Sequence, residues 1–495
     1  MRNIIIKSFC GCLLAGSLAS CSDSWLETDI FSGIDSETAL SNAENVSYAL
    51  NGCYYEFQYY PFAGNYATMV GDIASDIVYW NGDNAHQNSE YQFTYNANDL
   101  TLGYIWQYGY IVINNAAAVI VAADNLKDNT TDAEAADLML YEAEARCLRA
   151  YCNLNLVNVF GHQVKVDGVD YSSEPGIVLA FEPIAAFAEV TRASVGETYD
   201  FIVDDLKEAI SLFEIVGDRG SMNYFGAASA YGLLARAYLY LEDWSNAAQA
   251  AAKAIEISGI NTLAYTNDAY AALYAGTNTN KESIFALGIT SLTNWSANSC
   301  GTLFTTYGYS VSPYLFSLYE GGDCRTSILT WNYNLDPAPY KSNFSGGKFY
   351  YGGGNAAYAT NYIINAPEMY LIQAEAYTRL GQLADAQNAM LVVAKRNSAI
   401  TSVSNLPASA AAMMDFIYEE RARELFQEGL RMYDLRRWNI PCNLYAKAAP
   451  AVDFTFVSQR IGNLIFPIPQ DEINAGFGVT QNQGWADTKP VEDGE

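Results

Sequence analysis

Two stretches of this chain align with one another without a gap. "LLARAYLYLEDWSNAAQAAAKAI" (233–255) and "LIQAEAYTRLGQLADAQNAMLVV" (371–393) set Ala235 over Ala374, Ala237 over Ala376, Tyr238 over Tyr377, Leu241 over Leu380 and Ala247 over Ala386. Small-x-small-Tyr, a turn, then alanine on the next helix is the tetratricopeptide pattern. Alanine lets paired helices approach closely, while Tyr and Leu fill the groove between them. One helix pair cannot bury its apolar face alone, so such pairs must stack. The expected fold is therefore mainly α, a scaffold of helical pairs with more members than these two. The periodic segments at 135–160 and 195–214 are the natural candidates.

Other helices carry their own signals. "SNAENVSYALNGCYYEFQYY" opens with Ser41 and Glu44 in capping-box spacing, then Val46, Leu50, Cys53 and Phe57 on one side. Ser194 and Glu197 repeat the device. "EAEARCLRAYCNLNLVNVFG" places Ala145, Leu148, Cys152, Leu156 and Val159 along one face. Residues 261–362 differ: Gly, Asn, Ser, Thr and Tyr abound and no helical period persists, so this segment is expected as loops and short strands. It is too aromatic for disorder, and it interrupts the helical pairs rather than following them. The organisation expected is one domain over 36–495. Its helical scaffold spans 36–260 and 363–440, with the irregular insertion at 261–362 and a C-terminal motif at 441–495.

Charge narrows the partners. Against 55 Asp and Glu stand 26 Lys and Arg, a formal net charge of −29, which excludes nucleic acid as an expected partner. Two histidines, His86 and His162, leave little for a Ser-His-Asp or His-based metal site. No cofactor is expected. The acidity leaves calcium as a candidate structural ion, although no Asp-x-Asp-x-Asp-Gly loop is present to hold it.

The N-terminus sets the compartment. "MRNIIIKSFCGCLLAGSLASC" has two early cations, an apolar run and small residues before Cys21, the layout of a signal peptide over 1–20. Leu18-Ala19-Ser20-Cys21 resembles a bacterial lipobox, which implies acylation of Cys21, a lipid bilayer anchor and a polar tether over 21–35. No later segment offers about 18 uninterrupted apolar residues. The other mature cysteines, Cys53, Cys147, Cys152, Cys300, Cys324 and Cys442, form no CxxC pair and are expected as buried thiols.

"EERARELFQEGLRMYDLRRW" (419–438) gathers five arginines: Arg421, Arg423, Arg431, Arg436 and Arg437. Five acids share the stretch. Helical spacing pairs Glu419 with Arg423, Arg421 with Glu424 and Glu428 with Arg431, so a structural clasp is expected here rather than an anion site.

At this point the motifs resemble a known family. The lipobox, "EARCLRAYCNLNLVNVFG", "ERARELFQEGLRMYDLRRW" and "NLIFPIPQDEINAGFGVTQNQGW" occur in the order found in the SusD/RagB family of outer-membrane nutrient-binding lipoproteins of Bacteroidetes. One departure is Asn365-Ala366-Pro367-Glu368, where the family usually has Arg-Leu-Ala-Glu; Pro367 suits a first helical turn. The resemblance implies a helical solenoid with a loop-rich ligand face, held at the cell exterior. It also implies a SusC-like TonB-dependent transporter as partner, with a glycan as cargo. Some relatives take peptides instead.

A sugar site needs rings to stack on apolar C–H faces and Asn, Asp or Arg to meet hydroxyls. Tyr79, Trp80, Asn81, Asp83 and Asn84 offer these in an early Gly-containing loop. Asn294 and Trp295, Tyr307 and Tyr309, and Trp331, Asn332, Tyr333 and Asn334 offer them in the irregular segment. Trp80 and Trp331, flanked by Asn, lead as stacking platforms; Trp106, Trp244 and Trp438 fit helix packing. The reading is capture without catalysis. The competing class, a glycoside hydrolase, needs two carboxylates roughly 5–10 Å apart across the sugar. Asp72, Asp76, Asp83, Asp323 and Asp336 are the acids near these rings.

Overall fold

Successive helices pack each on the next because each carries a stripe of small or apolar residues for its neighbour. The computed structural model describes residues 39–80, 84–329, 346–349, 355–445 and 456–490. The chain divides into two compact units, Met1–Ser41 and Asn42–Glu495. Only residues 39–41 of the first are described, and the fold discussed here belongs to the second.

The scaffold runs through α1 (Ala43–Gln58), α2 (Tyr66–Ile73), α3 (Leu100–Lys127), α4 (Asp132–Phe160), α5 (Val195–Val216), α6 (Ala227–Tyr240) and α7 (Trp244–Ser258). It resumes with α8 (Ala366–Arg379), α9 (Leu383–Ala394), α10 (Ala410–Leu425) and α11 (Arg431–Trp438). Each of α3 to α9 packs on its successor in the chain. The expected extra pairs are thus present, with α4 and α5 joining the two aligned repeats. Ala235, Ala237, Ala247, Ala374, Ala376 and Ala386 are all fully buried, as close helix approach demands.

The two repeats share their turn. Asp243 N donates to Tyr238 O (2.9 Å) and Gln382 N to Tyr377 O (2.8 Å). The left-handed position is Gly381 (φ 75°) in one repeat and Glu242 (φ 59°) in the other. Glutamate there bears a steric cost that glycine avoids.

Capping follows the sequence in one case and shifts in another. Ser194 and Glu197 form the expected capping box on α5, and Thr131 with Glu134 forms one on α4. On α1 the cap is Asn42, whose side chain accepts from Asn45 N, rather than Ser41. Glu44 instead accepts from the Tyr48 hydroxyl (2.6 Å). Asn and Ser cap equally well, so spacing to the next Glu could not choose between neighbours. Among the described residues α3 is long and apolar enough to cross a membrane by length and composition, but half of its apolar window is buried inside the fold. Gln107, Asn114 and Asn115 also interrupt it.

The irregular segment is tied to both ends of the scaffold by short antiparallel ladders. β1 (Val78–Trp80) pairs with β3 (Tyr309–Val311), and β2 (Ser283–Leu287) pairs with β4 (Asn361–Asn365), which leads directly into α8. Pro367 sits in the first turn of α8, and Glu368 takes a two-point bond from Arg236 of α6 (2.7 Å each).

The arginine-rich stretch is not one helix. It breaks between α10 and α11 at a turn where Gly429 has φ 74° and a Cβ would lie 1.5 Å from Thr68 O of α2. Glycine alone fits there. Two expected pairs are replaced by long-range ones, the first although both partners lie within α10. Arg421 binds Asp434 rather than Glu424, and Arg431 binds Asp76 of the α2–β1 loop rather than Glu428, which binds Lys348. Glu419 to Arg423 stands (3.3 Å). Arg437 joins Asp434 and Glu375 of α8. Glu420 receives Arg325 and Arg423, while Glu424 receives Arg325 and Arg396. Burial pushes the Glu420 carboxyl up, but the two guanidiniums outweigh it and hold it down at about 2.

Arg436 is the exception. It is fully buried and donates to backbone oxygens at the end of α4, Asn158 O and Gly161 O. Arg192 and Asn482 both donate to Phe160 O. A cation at a helix C-terminus meets its unpaired carbonyls and the negative end of its dipole. Segments far apart in the chain thus converge on one helix end.

Candidate functional site

The face of α1 opposite its buried stripe carries tyrosines one turn apart. Tyr55 and Tyr59 stand at its end, and α3, packed alongside, presents Tyr104 and Tyr108 at the same spacing. Trp295, from the loop after β2, closes the group. Its ring lies 4.8 Å from Tyr59 and 6.1 Å from Tyr55. Tyr59 continues to Tyr108 (5.2 Å) and Tyr108 to Tyr104 (6.1 Å), while Tyr60 and Tyr66 back the row. Tyr55 is 52% exposed and Tyr59, Tyr60, Tyr104, Tyr108 and Trp295 are half-buried. Rings held this way present faces and edges to solvent while their neighbours fix their angles. Burial, then neighbouring phenols, push Tyr60 and Tyr108 up and Tyr66 up to about 12. Their hydroxyls therefore stay protonated at neutral pH and serve as both donors and acceptors.

Beside this row, His86 and Tyr307 stack nearly parallel at 4.5 Å, both half-buried. Asn65 bridges the two places: its side chain donates to Asn298 O (2.7 Å) and accepts from Gln87 (3.0 Å).

The residues expected from sequence divide three ways. Trp295 and Tyr307 reach this surface. Tyr79, Trp80 and Tyr309 do not: they are 4%, 5% and 0% exposed, shut inside the β1–β3 ladder. Trp80 and Tyr309 are register partners with stacked rings at 6.3 Å, and the Tyr309 hydroxyl donates to His86 O (2.7 Å). They are inside because Val78-Tyr79-Trp80 is a short continuous apolar run covered on both faces, the pattern of a buried strand. The polar residues after it suggested a loop. Asn84 and Asn294 make local turn bonds, accepting from His86 N (2.9 Å) and Ser296 N (3.1 Å). Asn81, Asp83, Trp331, Asn332, Tyr333, Asn334 and Cys21 lie outside the described residues.

The acids considered for hydrolysis are occupied where they are described. Asp76 pairs with Arg431 (2.8 Å) and Asp323 with Arg325 (2.6 Å), all buried. Asp72 accepts backbone N–H bonds from Gln427 (2.7 Å) and Arg431 (3.3 Å). Burial pushes its carboxyl up to about 7, against the pull of those amides. Among the described residues no three His, Cys, Asp or Glu side chains group as a metal site, and the six cysteines are free and buried.

Residues 348–485 match the model of the SusD family, and residues 21–239 match a family described as starch-binding associating with outer membrane. Each match spans less than half of the chain, and the two models lie at opposite ends of it in SusD-type order. Solved structures agree on its fold. A SusD superfamily protein from Bacteroides thetaiotaomicron superposes with TM-score 0.77 at 22% identity, over 89% of this chain and 99% of that one. A SusD superfamily protein from Bacteroides vulgatus gives 0.76 at 22% identity, over 90% and 99%. A SusD-like carbohydrate binding protein from the same species gives 0.69 at 22% identity, over 92% and 95%. A search of curated proteins gives no match. Between the two family matches of this SusD-like chain lie residues 240–347, which supply Trp295 and Tyr307.

A second concavity flanks the tyrosine row. A cleft of about 710 Å³ lies between α3, the strap at 184–190 and the segment 469–477, with Trp106, Tyr110, Phe187 and Phe477 in its walls. Tyr104 lines it too. Sequence reading missed the cleft and the tyrosines of the row, though it named Trp295 and Tyr307. The signal available was the i,i+4 tyrosine pairs on the solvent faces of α1 and α3.

Proposed function

We propose that this SusD-like protein is a non-catalytic glycan-binding lipoprotein of the cell surface. On this reading it is anchored in the outer membrane through Cys21, captures oligo- or polysaccharide on its ring-lined face and passes it to a SusC-like TonB-dependent transporter. The observation that carries the reading is the row Tyr55–Trp295–Tyr59–Tyr108–Tyr104, an open run of rings with phenol hydroxyls between them. Stacking platforms with adaptable hydrogen bonding suit sugar faces and hydroxyls. The family description, starch-binding, and the carbohydrate-binding relative point the same way. The engagement of Asp72, Asp76 and Asp323 in buried bonds supports binding without hydrolysis.

The test is affinity electrophoresis of the purified mature chain through gels holding plant, microbial and host polysaccharides, with reducing ends assayed in parallel. Retardation by a polysaccharide with no new reducing ends is the expected result. Release of sugar at enzyme-like rates would sink the non-catalytic reading. Co-purification of a TonB-dependent barrel from membranes of the native host, lost on Cys21→Ala, tests the anchor and the partner.

A further inference from the structure

The cleft beside the tyrosine row is built as a binding site. Its walls are tied in place: the Tyr110 hydroxyl accepts from Val178 N (2.8 Å) and donates to Val178 O (3.1 Å), Asn114 accepts from Ile184 N (2.6 Å), and Val190 N donates to Phe477 O (2.8 Å). About 710 Å³ falls in the range of preformed ligand pockets, roughly 300–1,000 Å³. Its rim holds Phe187, which is 83% exposed, has φ 64° and lies 5.9 Å from Phe477. A bulky residue in the left-handed region is strained. Here the strain holds an apolar ring in water, where the folded chain gains little from it. Gln107 and Asn115 add exposed amides on the α3 wall.

Two features decide what such a cleft takes. First, Tyr104 belongs to both surfaces, so the ring row and the cleft form one path along α3. Second, the charged groups in the cleft wall are Asp99, Asp471 and Glu472, with no Lys or Arg among the lining residues. The arginines of this acidic chain are largely committed to buried bonds instead. Asp99 caps α3 and Glu472 accepts from Trp106, but among the described residues neither has a cation partner, so an anionic polymer would be repelled there.

We infer that the cleft is a second sugar subsite continuous with the tyrosine row, so that the ligand is a long, uncharged polysaccharide chain rather than a short or acidic glycan. This rests on the glycan-binding reading above. The test uses soluble starch, galactomannan and xyloglucan as neutral probes, with polygalacturonate and chondroitin sulfate as acidic ones. Calorimetry then follows with an oligosaccharide ladder cut from whichever polymer is retained. Affinity is expected to climb with chain length. Phe187→Ala is expected to lower it about two- to tenfold for the long members while sparing the short ones, and Tyr59→Ala to lower it at every length. Identical affinities for Phe187→Ala and wild type at every length would overturn the second subsite and leave the glycan reading intact. Retention by the acidic polymers alone would overturn the charge argument. Retention by none of the five would overturn the glycan reading itself, and this inference with it.

Discussion

The β1–β3 ladder and the tyrosine row use the same aromatic chemistry to opposite ends. At the ladder, Trp80 and Tyr309 pack against each other and against Tyr91 of the neighbouring helical turn at 5.9–6.3 Å, all almost wholly buried. In the row, rings at similar spacings stay half-open. What differs is the backbone. β1 has a strand partner and cover on both faces, whereas Tyr55, Tyr59, Tyr104 and Tyr108 project from the outer faces of helices whose inner faces are already filled. Ring density alone therefore does not mark a binding face; a ring must also lie on an element whose packing needs are met by other residues.

The contrast breaks most sharply at Trp80. Trp80→Ala is expected to cost about 3–5 kcal/mol through the cavity it leaves, read as a lower urea midpoint. A stability loss under 1 kcal/mol would put the ring back on the surface. Next comes Glu420→Gln, expected to cost about 3 kcal/mol because Arg325 loses one of several buried partners. The folded-state value of about 2 lies below the ordinary 4.5. The carboxylate's contribution is thus present above pH 4.5 and lost as pH falls through 2. The gap between variant and wild type should narrow across that window, and a gap constant with pH would contradict the pairing. Smaller again, Tyr59→Ala should lower glycan affinity by about 0.5–1.5 kcal/mol with little change in melting temperature, the reverse of Trp80→Ala. Smallest, Glu242→Gly should stabilise the protein by up to about 1 kcal/mol by relieving the left-handed position. Thermal melts showing a loss instead would mean that the Glu242 side chain earns more than its backbone costs.

The scaffold was legible because its signals are local. The aligned repeats, the α5 capping box and the buried stripe Val46, Leu50, Cys53 and Phe57 are read within a few turns of helix. The ladder was not, since Trp80 meets Tyr309 across more than two hundred residues and nothing near Trp80 records its partner. The arginine stretch fell between these cases. Its neutrality was visible, but helical spacing sees neither the break at Gly429, which separates Glu428 from Arg431, nor the distant Arg325 and Arg396 that claim Glu424. The site was half legible: Trp295 and Tyr307 came from the right loop. The tyrosines of α1 and α3 passed as helix filling because their function depends on two helices and a distant loop meeting.

The end of α4 has a consequence for timing. Phe160 O finds a donor in Asn482, 322 positions later, and Gly161 O one in Arg436, 275 positions later. Arg192 can meet Phe160 O early (3.4 Å), but the Gly161 O partner and the shorter bond to Phe160 O come only with the C-terminal part of the chain, so the polar end of the longest scaffold helix is fully sealed late. Packing around that end is therefore expected to be completed late. Pulsed hydrogen exchange during refolding should show the α4 end and the segment around Asn482 gaining protection together, and early protection at α4 alone would argue against a late seal.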